Sequence, residues 1–211
     1  GSGISGYSGY SGISGFSGIS GFSGISGYSG ISGFSGVSGY SGTTPTGSIF
    51  LSSAGMWASE TAGSADAALL ELATNKQAFY YLAFDKDTIE YAQASVVMPS
   101  DWDAGTVTAT FYWTHPATTT NFKVSWGCQG YSYANDLALD QTWGTAIYAN
   151  DTGGTTSDMY ISPTTAAITI GGATASELVQ FRILRKADDA TNDTLAVDAY
   201  LLGVLITFTR T

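Results

Sequence analysis

The chain carries a single histidine, His115, in the run Trp113-Thr114-His115-Pro116. Hydroxyl nucleophiles need a base beside them, and metal centres need several nitrogen, sulfur or carboxylate ligands. One imidazole supports neither, and its place before a proline predicts a surface or turn position at a strand end. The single cysteine, Cys128, excludes an internal disulfide and a Cys-rich zinc site. It lies in the strand-like run "FKVSWGCQGYSY", which predicts a buried small apolar residue.

Carboxylates are the next candidates. Asp85 with Asp87 and Glu90, and Asp101 with Asp103, are close enough in sequence to pair. Glycosidic cleavage needs two positioned carboxylates, but an acidic chain offers such pairs by chance, and solvated loop acids are the expected outcome. "DDATND" (188–193) has oxygen ligands for calcium but lacks EF-hand spacing, which leaves a turn. "NDTGGTT" lacks the lysine and the helix of a phosphate loop. No cofactor, metal or catalytic residue is expected, and the chain reads as non-enzymatic.

Aromatic residues remain as recognition elements. Trp102 stands in a predicted turn between Asp101 and Asp103, and Trp143 follows a polar loop. Sugar rings present apolar faces beside hydroxyls, so an exposed tryptophan near polar groups predicts carbohydrate stacking. The competing reading places both in a core or a subunit contact. Trp113 and Trp126 fall on predicted strands and belong to the core.

The charge balance narrows the partners. Seven Lys and Arg stand against 17 Asp and Glu, for a net charge of −10, all beyond residue 42. Nucleic acid requires a basic footprint and anionic membranes attract one, so neither is an expected partner. No run of ~18 uninterrupted apolar residues is present, so no membrane insertion is expected. The chain starts at Gly1 inside a repeat, which is read as a processed, truncated or partial N-terminus, with no signal peptide visible.

That repeat occupies residues 1–42. From Gly3 every third residue is glycine, serine precedes it, and the remaining position holds Ile4, Tyr7, Tyr10, Ile13, Phe16, Ile19, Phe22, Ile25, Tyr28, Ile31, Phe34, Val37 and Tyr40. A period of three fits neither α-helix nor strand. It fits an extended polyproline II or collagen-like helix, with glycine, serine and apolar side chains on three separate edges. Proline, which would pre-set that conformation, is missing from the tract, and glycine loses much entropy on ordering. Association through the apolar stripe is therefore expected to order it. A disordered Gly/Ser linker is the alternative, and it leaves the bulky residue in every triplet unexplained.

Residues 43–48 read as a hinge and 49–211 as a head. Strands are expected near 49–57, 78–84, 88–97, 105–114, 121–133, 144–149, 157–161, 166–170, 177–185 and 196–209. In "TVTATFYWT" the residues Val107, Ala109, Phe111 and Trp113 share one face. Turns are expected at 99–105, 150–155 and 186–194. Residues 64–73 have helical composition, and 134–144 could hold a helical turn. The apolar run at 195–209 predicts a strand buried on both faces, between a sheet and a partner subunit. Many short strands with turn signals between them predict an all-β, jelly-roll-like antiparallel sandwich.

"MPSDWDAGTVTATFYWT" (98–114), "VSWGCQGYSYANDLALDQTWGTA" (124–146) and "LAVDAYLLGVLITF" (195–208) resemble a β-sandwich domain of tailed-bacteriophage virion structural proteins, in which Gly-X-Ser repeats precede the domain. The resemblance spans nearly the whole chain and its motifs are structural. It implies a homo-oligomeric, trimeric fibre or appendage protein of a virion or the extracellular space and does not itself imply a ligand; other virion proteins or host-surface glycans are the partners expected of such a fibre. A self-assembling filament built through the apolar stripe, and a carbohydrate-binding module on a linker, are the alternatives.

Overall fold

A computed structural model describes residues 44–116, 122–155 and 157–211. The repeat, and with it the stripe from Ile4 to Tyr40, lies outside the described residues. Twelve strands succeed one another: β1 (Thr46–Ser52), β2 (Trp57–Ala58), β3 (Ala68–Glu71), β4 (Ala78–Phe84), β5 (Glu90–Val97), β6 (Trp102–Thr114), β7 (Phe122–Tyr133), β8 (Ile147–Gly153), β9 (Tyr160–Ile161), β10 (Ile170–Gly171), β11 (Leu178–Arg185) and β12 (Ala199–Arg210). A 3-10 turn at Ser53–Gly55 is the one helical element among the described residues.

The strands form two six-stranded sheets, a jelly-roll-like β-sandwich. The first runs β3-β4-β12-β6-β9, with β1 also on β12; the second runs β10-β7-β11-β5-β2, with β8 on β7. Pairing is antiparallel except between β10 and β7.

Period-two alternation builds the core between the sheets. From β6 come Val107, Ala109, Phe111 and Trp113, and from β12 Val204, Ile206 and Phe208; the opposite sheet supplies Ala92, Ala94, Val124, Trp126, Cys128, Val179, Phe181 and Ile183. Trp126 anchors the centre: its ring lies 5.2 Å from Phe84 at 89° and 6.2 Å from Trp113 at 61°. Burial of such side chains contributes ~1.5–3 kcal/mol each, and edge-to-face pairs add to it.

Several expectations are corrected. The helical composition of 64–73 yields to pairing: Ala68 to Glu71 form β3 against Ala78 to Tyr81, because a strand partner satisfies the backbone that an isolated short helix could not. Residues 134–144 form a loop, not a helical turn. The hinge at 43–48 is shorter than expected, since Thr46, Gly47 and Ser48 already pair with Thr209, Phe208 and Thr207. The turn expected at 150–155 is largely strand, with Asn150 to Gly153 paired to Ser125 through Phe122. The long apolar run does form a central strand, β12, flanked in its sheet by β6 on one edge and β1 and β4 on the other; its inward face is buried, while Leu205, Thr207 and Thr209 on its outer face are half-buried in the single chain.

His115 is also displaced from its expected surface position. It is fully buried at the end of β6, its ring 4.6 Å from Phe122 and 5.6 Å from Tyr160. Its strand parity with Trp113 and the aromatic neighbours draw it inward.

Candidate binding face on the second sheet

The structure separates the two tryptophans for which sugar stacking competes with a core or subunit contact. Trp102 is only 1% exposed and belongs to the core. Inward positions of β6 are odd-numbered from Val107 to Trp113, so Trp102 should face outward by simple alternation. It does not, because Ala104 takes a φ of 56° and the register against β12 shifts between Phe208 and Arg210. This bulge turns the even-numbered Trp102 inward, where its ring has no face to offer. Its buried indole N–H finds no acceptor among the described residues.

Trp143 lies on the outer face of the second sheet, at the end of the loop after β7. The register makes that face a matrix. One row crosses four strands as Trp57, Gln93, Arg182 and Gln129. On one side lies the row Tyr91, Leu184, Gly127 and Tyr148; on the other, Ser95, Gln180 and Tyr131, followed by Val97, Leu178 and Tyr133. These positions alternate with buried Ala92, Phe181, Ile183 and Cys128, which fixes their outward direction. Gly127 is required here: a Cβ would meet Tyr148 Cε1 at 2.8 Å and Leu184 Cδ2 at 3.0 Å.

Arg182 sits at the centre. Its guanidinium carbon is 4.4 Å from the Tyr91 ring centroid and 4.8 Å from that of Trp143. With the Gln129 amide oxygen turned toward it, that oxygen accepts from Arg182 Nε at 2.6 Å and from Nη2, while the amide nitrogen donates to Gly144 O at 3.1 Å. Burial pushes the Arg182 pKa down, and the Tyr91 and Tyr148 phenols oppose that shift.

The amides are tied to one another. Gln180 Nε2 donates to Gln93 Oε1 at 2.9 Å, Gln93 Nε2 donates to Ser59 Oγ at 2.8 Å, and Ser95 Oγ donates to Gln180 Oε1. Such linkage limits rotamer freedom before any ligand arrives. Beside them a depression of about 330 Å³ is lined by Gln93, Gln180, Leu178, Tyr133, Leu139, Asp140, Gln141 and Trp143. Its outer wall is the loop after β7, held by Tyr133 Oη donating to Leu139 O at 3.1 Å and Gln141 Nε2 to Ala138 O at 2.9 Å. The arrangement offers flat aromatic and guanidinium surfaces beside amide donors and acceptors.

The sequence-level carboxylate pairs take structural roles. Asp85 Oδ1 accepts from the Asp87 and Thr88 backbones at 2.7 and 2.8 Å, which lowers the Asp85 pKa and closes the β4–β5 turn. Asp103 Oδ1 accepts from Gly105 N at 2.8 Å. Asp101 pairs with Arg210 across 3.4 Å. Among the described residues no group of three or more His, Cys, Asp and Glu is placed to hold a metal ion. Sequence reasoning missed Trp57, Tyr91, Gln93, Gln180 and Arg182; only strand register, which a single sequence does not display, assembles them.

No family model and no curated protein matches the chain. Solved structures with a similar chain path include the CBM22-2 xylan-binding domain of Paenibacillus barcinonensis Xyn10C, at 13% identity and TM-score 0.44, covering 77% of this chain and 99% of that one. CBM35 from Cellvibrio japonicus Abf62 is 10% identical with TM-score 0.40, over 78% and 99%. The CBM22-1–GH10 modules of Clostridium thermocellum xylanase 10B, complexed with xylohexaose, are 11% identical with TM-score 0.42, over 76% of this chain and 27% of that one. Likeness at this level assigns neither family nor ligand.

Proposed function

We propose that the β-sandwich is a non-enzymatic glycan-binding head, with its site on the outer face of the second sheet. The observation that carries this reading is the row Trp57, Gln93, Arg182 and Gln129, flanked by Trp143 and Tyr91 and bordering the amide-lined depression. A pyranose has an apolar C–H face that an aromatic ring covers, and an equatorial rim of hydroxyls that planar amides and guanidinium groups match. The linked glutamines hold those groups ready, so less conformational entropy is lost on binding.

Glycan arrays followed by calorimetry on the whole chain test this. Trp143→Ala should weaken binding about thirtyfold, the ~2 kcal/mol of a central aromatic contact, with an unchanged melting temperature. Absence of binding to any neutral or acidic glycan would sink the proposal.

The fibre reading supplies a context for such a head: copies joined in a homo-oligomer, expected to be a trimer, on a virion or extracellular appendage. Exposed apolar residues on the first sheet support a further contact, since Phe50 and Ile161 are 51% and 55% exposed and Phe50 packs edge-on against Tyr112 at 5.5 Å. Joined copies would raise the effective concentration of the weak second and third contacts. Light scattering of the chain with and without residues 1–42 separates the cases. A head that stays trimeric favours the fibre, loss of polymers on deletion favours the filament, and a monomer throughout favours a lone module.

A further inference from the structure

Resting on the glycan-binding reading, we infer that this site selects sugars bearing a carboxylate, with Arg182 as the group that receives it.

The chain has a large excess of acids, yet none faces Arg182. Of its seven basic residues, Lys76, Lys86, Arg185, Lys186 and Arg210 each stand within ion-pair distance of an Asp or Glu. Lys123 is exposed and donates to Thr191 O at 3.1 Å. Arg182 is half-buried and has no carboxylate partner among the described residues. The outward positions of β5, β11 and β7 hold Tyr, Gln, Ser, Val, Leu, Gly, Lys and Arg, and no Asp or Glu.

Half-burying a guanidinium is costly unless something replaces its water. Tyr91 and Trp143 replace part of it by cation–π contact. Gln129 takes the Nε and one Nη2 proton. A guanidinium has five N–H groups, so the Nη1/Nη2 end remains for a ligand. Two parallel N–H groups match the two oxygens of a carboxylate, a charge-assisted geometry stronger than a neutral hydroxyl contact. One face of each of these rings lies against the guanidinium, so a sugar carrying that carboxylate would meet them at their remaining exposed surface.

Two acids stand at the margins. Asp140 lines the depression beside Tyr133, and Asp188 acts on Tyr148. With the net charge of −10, they disfavour a dense polyanion. The site therefore fits a glycan with isolated carboxylates, whether uronate or sialate.

The test is calorimetry on the whole chain with matched pairs: glucuronoxylan against xylan freed of its uronates, and sialyllactose against lactose, with heparin and polygalacturonate as dense polyanions. The acidic member of one pair should bind about tenfold tighter than its neutral counterpart, and which pair responds identifies the source of the carboxylate. Arg182→Gln should remove that preference while retaining residual neutral binding, and Arg182→Lys should keep part of it. Equal or tighter binding of the neutral members overturns the inference and leaves the glycan-binding reading standing. Binding that is lost in Trp143→Ala but unchanged in both Arg182 variants does the same. Preference for heparin or polygalacturonate overturns it in favour of general charge attraction. No binding to any probe or array glycan overturns both.

Discussion

Arg182 and Arg185 lie on one strand, three residues apart, and face opposite sides of the same sheet. Arg182 points outward and meets rings and an amide. Arg185 points into the sandwich, fully buried, and meets Asp193 through Nε at 3.0 Å and Nη2 at 2.7 Å. Its remaining protons go to the carbonyls of Phe84, Val197 and Leu195 at 3.2, 2.9 and 2.7 Å. Asp193 also accepts from Ser125 N at 3.1 Å. One arginine closes the fold by fastening the β11–β12 loop beneath it, while the other has no carboxylate partner among the described residues.

Removing one partner of the inner pair should be severe. Arg185→Met leaves Asp193 charged and enclosed, at a cost of about 3–5 kcal/mol. The double variant Arg185→Met with Asp193→Leu should recover part of that loss, since no orphaned charge remains. Urea denaturation of the three proteins checks this. A single variant as stable as the parent would show that the pair carries little.

His115 predicts an acid-side loss of stability. Burial among Trp113, Phe122 and Tyr160 lowers its pKa, against smaller opposing effects of a hydrogen bond with the Thr155 backbone and the Asp158 carboxylate. The unfolded chain binds its proton near the ordinary ~6.5, so the unfolded state holds more protons just below that pH. Stability contributed by the neutral ring is present above ~6.5 and falls as pH drops toward the folded value. As the chain has one histidine, proton NMR reads this ring without ambiguity. A folded-state pKa at or above that of a free imidazole would contradict the prediction.

Much of this fold is legible in the amino-acid string, for a physical reason. Val107, Ala109, Phe111 and Trp113 alternate with polar residues, so a half-buried strand follows from period alone. The 195–209 run is apolar in both phases, and a strand inside a sheet follows. What the string does not display is register. Gln93, Arg182 and Gln129 come from distant segments and meet because three strands pair in one alignment. The choice between core and surface for Trp102 is hidden for a related reason: a single positive φ at Ala104 reverses the alternation, and alanine gives no warning of it. His115 next to a proline looked like a surface turn because its covering rings, Phe122 and Tyr160, arrive from other strands.

Gly203 marks another place where register and packing combine. It sits at the β12 irregularity, between Leu201 paired with Trp113 and Gly203 paired with Tyr112. A Cβ there would stand 2.8 Å from Leu51 O and 2.9 Å from Phe50 Cε1. Gly203→Ala should therefore destabilise by about 1–3 kcal/mol. Adding Phe50→Ala should relieve the ring but not the carbonyl, so rescue stays partial. Gly55→Ala, with nothing within 4 Å of its Cβ, is the control. Thermal melts that rank Gly203→Ala with Gly55→Ala would disprove the close approach.

Cys128 should be chemically silent while the sandwich is intact. It faces inward from β7 opposite Ile183, fully buried, and burial pushes its thiol pKa up to about 12. The thiolate is the reactive species, so both its population and its access are suppressed in the folded state. A disulfide reagent at pH 8 should leave the native protein unmodified for hours and titrate one thiol within minutes in guanidinium chloride. The rate in intermediate denaturant should follow the population of opened molecules, which makes this residue a probe of core opening. Stoichiometric labelling of the folded chain within minutes would place β7 outside the core and undo the face built on its other side.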